Sequence, residues 1–262
     1  MSKLFYSFLL SILLLAASAC AQNGIHSLSV TGGFRHTGFR DQRVTWFAET
    51  VSGAGFNVGH KVEGKRLLNK LSYNHSGFFR NFDDHYLHSS GLYVYRINVV
   101  NTLHYMVHRS DHFTIAPGIA AEYDLMEEIK FYEYWHSLIS GNLSLYLKWT
   151  PGRRFRSEIT IYTPFITFLN RHPWTWVHSP NKKDWYFPIG AKGTDVKLYN
   201  FRAISINSIN AVRLNSHFSL RADLNFVYRK TLCERELRSY NLELNTGIEW
   251  HIRAKERNTG QW

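Results

Sequence analysis

Two segments of the chain bring carboxylates and imidazoles close together in sequence. Asp83, Asp84 and His85 are consecutive, and His178 and Asp184 lie in a second polar segment. A hydrolase needs a base that activates a nucleophile or a water molecule, and an imidazole or a carboxylate can be that base. These residues are the candidate catalytic residues, and loss of activity in an Asp84→Ala variant would support them.

A further pair, His75 and Ser76, resembles superficially the His and Ser of outer-membrane phospholipases. Consecutive residues of a strand point to opposite faces, so His75 cannot activate Ser76 unless a β-bulge intervenes. We therefore do not assign catalysis to this pair.

Metal chemistry is a separate question, because the chain has 14 histidines. His85 and His88 form the best cluster, beside two aspartates. His104 and His108 would lie ~13 Å apart along one strand, too far to share an ion. We predict no metal site and no cofactor.

The segment from residue 171 to 195 carries more aromatic surface than an exposed loop needs. We predict that its rings stack on an extracellular glycan or peptide, since such rings bind flat ligands well. They could instead pack on one another or on a membrane leaflet, or plug the interior of the protein. The predicted binding residues are Trp174, Trp176, Trp185 and Tyr186.

The elements that position these residues are strands, because apolar residues recur with a period of two. The runs from Phe218 to Tyr228 and from Tyr240 to Ile252 exceed the ~5 to 6 residues of an ordinary strand. Similar runs are predicted at residues 25–36, 43–62, 66–81, 87–108, 112–130, 134–149, 155–171 and 196–214. With the runs at 218–228 and 239–252, they predict an all-β, antiparallel up-and-down transmembrane barrel of about ten strands, with eight or twelve as alternatives.

The connections between these runs alternate in length, as an up-and-down barrel requires. Tight turns are predicted near Gly64, Asp111, Gly152 and Ser216, and long loops at the other end. Pro117 and Pro164 fall inside runs, where a missing N–H breaks the ladder, so we expect bulges there.

The two faces of the strands differ in chemistry. Opposite charges on the polar face are predicted to pair in a narrow lumen. This lumen network consists of Arg96, Glu122, Asp124, Arg156, Glu158, Arg221, Asp223, Glu243 and Glu249, and the same face carries Glu49, Lys70, Lys148 and Arg229. The apolar face, which we expect to contact lipid, carries Trp46, Tyr93, Tyr95, Tyr105, Trp149, Phe218, Tyr228, Tyr240 and Trp250. A soluble periplasmic barrel or sandwich is the competing interpretation.

The first segment is typical of a secretory signal peptide. Lys3 precedes an apolar run and the small residues that end at Ala21, and the run is too short for a spanning helix. We predict a signal at 1–21 and a barrel domain at 22–262, with lipidation of Cys20 as the alternative. Removal of Cys20 would leave Cys233 without a disulfide partner.

The last strand resembles the C-terminal β-signal of bacterial outer-membrane β-barrels. From Asn245 to Ile252, a polar residue is followed two residues later by Gly247 and then by hydrophobic residues at alternate positions. This resemblance covers one strand, and the chain continues beyond it. It implies a place in the bacterial outer membrane, contact with its lipids and insertion by the barrel-assembly machinery.

The chain has a formal net charge of +11, and much of the surplus lies near the predicted tight turns. Anionic phospholipid headgroups would attract these cations, but we favour the simpler explanation that they form a solvated rim. The cations are dispersed in an exported barrel, which argues against nucleic-acid binding. They are Lys61, Lys65, Arg66, Arg109, Arg153, Arg154, Arg213, Arg253, Lys255 and Arg257.

These observations leave several functions open. The leading prediction is a barrel with a closed or nearly closed lumen, whose surface loops act as a binding or structural component of the envelope. A hydrolase at the outer rim is the first alternative: Asp83, Asp84, His85, His178 and Asp184 resemble in outline the Asp/His sites of omptin proteases, but no Asp-x-His spacing occurs near His172, His178 or Asp184. A narrow, porin-like channel is the second.

Overall fold

The computed structural model describes residues 24–41, 49–80, 92–128, 135–171, 201–231 and 237–252. Long strands of 13 to 17 residues dominate these ranges, as the extended alternation predicts. The strands are β1 (Ile25–Asp41), β2 (Glu49–Glu63), β3 (Leu67–Arg80), β4 (Leu92–Tyr105), β5 (His108–Arg109), β6 (Phe113–Glu128), β7 (Trp135–Trp149), β8 (Phe155–Arg171), β9 (Phe201–Arg213), β10 (Phe218–Thr231) and β11 (Leu237–Ile252). None of the described ranges contains a helix long and apolar enough to cross a membrane.

All the strands except β5 close into one antiparallel barrel. The sheet has 11 strands, and the two-residue β5 pairs only with β6, which leaves ten in the ring. Sequential strands pair with each other, β4 pairs with β6, and β1 closes the ring by pairing with β11. This confirms the predicted up-and-down barrel of about ten strands.

Several predicted boundaries are wrong. β1 continues to Asp41 instead of ending at residue 36, and the run predicted at 87–108 ends at Tyr105. Immediately after that strand, Met106 is buried and packs with Leu68 and Tyr146. As a result, His104 and His108 do not share a strand.

The two prolines inside strands are accommodated in different ways. Pro164 pairs with Asn142 while Gly141 pairs with Ile166, so one extra residue forms a bulge beside Pro164, as predicted. No register shift occurs at Pro117 on the β7 side. On its other side, pairing with β4 ends at Gly118 and pairing with β5 begins at Ile115, so Pro117 sits at a break in the ladder.

The barrel has two different rims. The turn rim comprises the described short connections at residues 64–66, 106–112, 150–154 and 214–217, which contain all the predicted tight turns. The loop rim comprises the opposite strand ends, which flank residues 42–48, 81–91, 129–134, 172–200 and 232–236. All of those connecting residues lie outside the described part of the chain, as do residues 1–23 and 253–262.

The outer wall of the barrel is apolar. Side chains such as Val30, Leu143 and Leu220 are 54–60% exposed on this wall, whereas buried polar residues face the lumen. Tyr105, Trp149 and Trp250 lie on the outer wall at the turn rim, as expected for an aromatic girdle. Among the strand side chains that the structure describes, charge occurs on the outer wall only near the loop rim, at Arg202, Lys230 and Arg238. A water-soluble barrel would show the reverse distribution.

Glycine is required where neighbouring strands approach closely near Gly33. A Cβ added to Gly33 would lie 1.9 Å from the backbone oxygen of Leu244 on β11, whereas one added to Gly32 would lie 3.7 Å from its nearest neighbour. We expect Gly33→Ala to lower the free energy of unfolding by at least about 2 kcal/mol, because the backbone of β11 must move. Gly32→Ala should change it by less than about 0.5 kcal/mol. Urea titration in lipid vesicles checks this, and equal effects of the two substitutions would refute it.

Candidate functional site

The lumen contains two groups of buried ion pairs. The upper cluster, nearer the loop rim, consists of Arg35, Arg96, Glu122, Asp124, Arg229 and Glu243. Arg229 binds the carboxylates of both Asp124 and Glu122, and the Arg96 Nε atom lies 2.7 Å from Asp124 Oδ1. Asn98 donates to Glu122 at 3.0 Å. The strands β4, β6 and β10 are therefore tied together across the barrel.

Arg35 extends the upper cluster to the β1 side of the barrel. Its side chain is fully buried; the Nε atom lies 3.6 Å from Glu243 Oε2 and donates to Ser76 Oγ at 3.1 Å. Asn245 also accepts from this guanidinium. Charge-assisted hydrogen bonds of this kind offset the cost of removing an arginine from water.

The lower cluster, nearer the turn rim, consists of Lys61, Glu63, Lys70, Lys148, Arg156, Glu158 and Glu249. Glu158 is its centre: its carboxylate lies 2.5 Å from Lys61 Nζ, 2.9 Å from Arg156 Nε and 3.5 Å from Lys70 Nζ. Arg156 also binds Glu249. Only 1% of the Glu158 side chain is exposed, so these cations are its main compensation for lost water.

Between the two clusters, Arg221 and Asp223 form a bidentate pair with distances of 2.6 and 2.7 Å. A cavity of about 70 Å³ adjoins this pair and members of both clusters. Polar groups such as Ser29 and Asn57 line much of its wall, so it suits hydrogen-bonded water molecules.

A ring of apolar side chains lines the lumen above the upper cluster. Each of its members points inward near the loop-rim end of a different strand, and nearly every barrel strand contributes one. We call this ring the apolar collar: Phe39, Val51, Phe78, Val94 and Met126 form one packed group, and Leu138, Leu169, Ala203 and Leu237 form the other. The exposed fraction of its buried members is at most 5%.

The structure places every member of the predicted lumen network in the interior and in contact with an opposite charge. It also brings in residues that sequence reasoning missed or misplaced. Lys61 was expected at the rim, but it points into the lumen and binds Glu158. Glu63 was expected beyond the end of the strand predicted at 43–62, but it ends β2 and binds Lys148 at 3.0 Å.

The predicted catalytic and ligand-binding residues of the loops cannot be placed. They are Asp83, Asp84, His85, Trp174, Trp176, His178, Asp184, Trp185 and Tyr186, and all lie outside the described residues. The His75 ring stacks on Phe56 with ring centroids 5.5 Å apart, while Ser76 lies in the interior against Arg35. These neighbours point to opposite faces, as expected for strand residues.

The chemistry of the lumen is that of a structural network. Each buried carboxylate in the described strands has a cationic partner, so none is free to act as a general base. No group of three or more metal-ligating side chains occurs in the described ranges. The arrangement can hold the barrel wall together and occlude its interior.

Comparison with known proteins identifies the fold. No family model matches the chain, and no curated protein matches its sequence. The outer membrane protease OmpT from Escherichia coli is similar over 87% of this chain and 97% of that chain, with a TM-score of 0.51 and 7% identity. Ail of Yersinia pestis (8% identity, 87% and 99% covered, TM-score 0.36) and Neisserial surface protein A (8%, 85% and 96%, 0.38) are also matched. At such low identity, the first similarity shows the fold alone.

Proposed function

We propose that this chain, which has the fold of the bacterial outer-membrane β-barrels, is an integral outer-membrane protein with a closed lumen that presents its loops as a binding or structural component of the envelope. One observation carries the proposal: side chains fill the lumen at successive levels, with the lower cluster, the upper cluster and the apolar collar in series. A barrel whose lumen is filled by side chains has no pore for transport, so its function depends on the surfaces and loops that it exposes.

This filling disfavours the channel alternative. An ion entering from the loop rim would have to shed water to pass the apolar collar, whose carbon side chains do not replace its hydration. It would then have to separate paired charges such as Arg96 and Asp124, which lie 2.7 Å apart.

We expect the purified protein to show no steady ionic conductance in a planar lipid bilayer, with a porin as positive control. Replacing Phe39 and Phe78 by Ala removes the largest side chains of the collar. This double variant should add only brief current fluctuations, because the ion clusters still fill the lumen below. A steady, ohmic current through the unmodified protein would refute the closed lumen and favour the channel.

The partners follow from the same proposal. Outer-membrane lipids would cover the apolar outer wall, and the barrel-assembly machinery would insert the chain after export. A glycan or peptide would bind the loop aromatics Trp174, Trp176, Trp185 and Tyr186 by stacking. Loss of surface binding in a Trp174→Ala/Trp185→Ala variant that remains folded would support this ligand class, and unchanged binding would exclude these rings.

A hydrolase at the loop rim is the second candidate, and its support is the fold shared with an outer membrane protease. Fold similarity carries no chemistry by itself, because one barrel can display many different loops. Assays of the folded protein with envelope lipids and peptides test it. Hydrolysis that disappears in Asp84→Ala would favour this candidate, and absence of hydrolysis would eliminate it.

A further inference from the structure

The turn rim surrounds an open cavity of about 420 Å³, which we call the basic vestibule. Its lining contains more basic than acidic side chains. The basic ones are Arg109, Lys148, Arg153, Arg154, Arg156 and Arg213, and the acidic ones are Glu63 and Asp111. The vestibule is separate from the loop rim, on which the proposed function depends.

The floor of the vestibule is already neutralised. Lys148 lies 3.0 Å from Glu63, and Arg156 binds Glu249 and lies 2.9 Å from Glu158. These pairs belong to the lower cluster and keep their carboxylates occupied. Glu63 also lies 3.3 Å from the Arg109 guanidinium, so that arginine is partly neutralised.

Of the four arginines at the mouth, Arg109 lies 3.3 Å from Glu63, whereas Arg153, Arg154 and Arg213 lack such a partner among the described residues. Arg213 donates only to turn carbonyls, those of Asn215 at 3.0 Å and Ser216 at 3.5 Å. Arg153 and Arg154 are exposed and form no ion pair with any described residue. Uncompensated guanidinium groups from different turns therefore face one cavity.

We propose that the basic vestibule binds a phosphoryl-bearing anion. A phosphoryl group has several terminal oxygens and more than one negative charge, so it can accept from arginines on two turns at once. Ser110, Thr150 and Ser216 also line the cavity and supply further polar contacts. The phosphoryl group comes from a soluble solute or from an anionic phospholipid headgroup, and both present the same chemistry to the arginines.

Inorganic pyrophosphate is the probe for the first source. We expect it to bind saturably to the folded protein in phosphatidylcholine nanodiscs, and more weakly at high salt. The double variant Arg153→Gln/Arg154→Gln should weaken binding at least tenfold. The matched control, Lys65→Gln/Arg66→Gln, removes two cations from the neighbouring turn, which does not line the vestibule, and should leave binding unchanged.

Nanodiscs that contain phosphatidylglycerol test the second source. If the headgroup is the ligand, these discs should abolish pyrophosphate binding by competition, both in the unmodified protein and in the Lys65→Gln/Arg66→Gln control. Equal binding by the two double variants, or no saturable binding of pyrophosphate in neutral discs, would overturn the proposal. Heat-modifiable gel mobility shows that each variant is folded, and unchanged bilayer conductance separates this test from that of the closed lumen.

Discussion

Replacing Arg229 by Ala should lower the free energy of unfolding by about 3–5 kcal/mol. Arg229 is 5% exposed and is shared by Asp124 and Glu122. Its removal leaves both carboxylates buried with less positive charge, although Arg96 still binds Asp124. The loss of stability arises from the uncompensated buried charge. The free-energy cost of that charge exceeds the contribution of a single hydrogen bond.

The measurement is urea unfolding in lipid vesicles, followed by tryptophan fluorescence. Arg202→Ala is the matched control, because Arg202 is exposed on the outer wall, and we expect it to change stability by less than about 0.5 kcal/mol. The loss of stability caused by Arg229→Lys should lie between those of Arg229→Ala and Arg202→Ala. A lysine keeps the positive charge, but it lacks the planar fork of donors with which arginine binds two carboxylates. If Arg229→Ala and Arg202→Ala unfold at the same urea concentration, the upper cluster does not stabilise the barrel.

Glu158→Gln should also lower the free energy of unfolding by about 3–5 kcal/mol, although it leaves the volume of the side chain almost unchanged. The substitution removes the carboxylate that lies within 3.5 Å of Lys61, Lys70 and Arg156. Arg156 retains Glu249, but Lys70 loses the only carboxylate that the described residues offer it. The cations would then repel one another at low dielectric.

A second substitution distinguishes lost charge balance from a general packing defect. Glu158→Gln/Lys70→Met removes both members of one pair, and replacing a buried pair by apolar groups is often neutral. We expect the double variant to be more stable than Glu158→Gln alone. Asp111→Asn, at an exposed position of the turn rim, is the control and should have little effect. A double variant less stable than Glu158→Gln would contradict the charge explanation.

The alternation of residue types made most of the wall predictable. Lipid requires apolar side chains and a charged lumen requires polar ones, and successive residues of a strand face these two environments in turn. The sequence of each strand therefore shows which of its residues point inward and which point outward. The run from Phe218 to Tyr228 shows this clearly, and Arg221, Asp223 and Arg229 were assigned to the correct face. Alternation fails where both faces are polar or glycine-rich, as around Gly33, and Arg35 was missed for that reason.

Contacts across the barrel were not predictable from the sequence. Lys61 and Glu158 meet on strands that are remote in sequence, and only the closed ring brings them together. The apolar collar, by contrast, has a recognisable sequence pattern that the sequence analysis did not use. Phe78, Val94 and Met126 occupy inward positions near the loop-rim end of their strands, where alternation calls for polar residues. Recurrence of that exception on successive strands indicates an internal apolar layer.

The central claim is that the apolar wall faces lipid and the charged clusters lie inside a closed barrel. Membrane fractionation combined with gel mobility, with and without boiling, tests it most directly. We predict that the protein is recovered in the outer-membrane fraction and that the unboiled form migrates differently from the boiled form, because a folded barrel resists detergent until it is heated. A soluble protein with the same mobility before and after boiling would contradict the account and would require the apolar face to point inward.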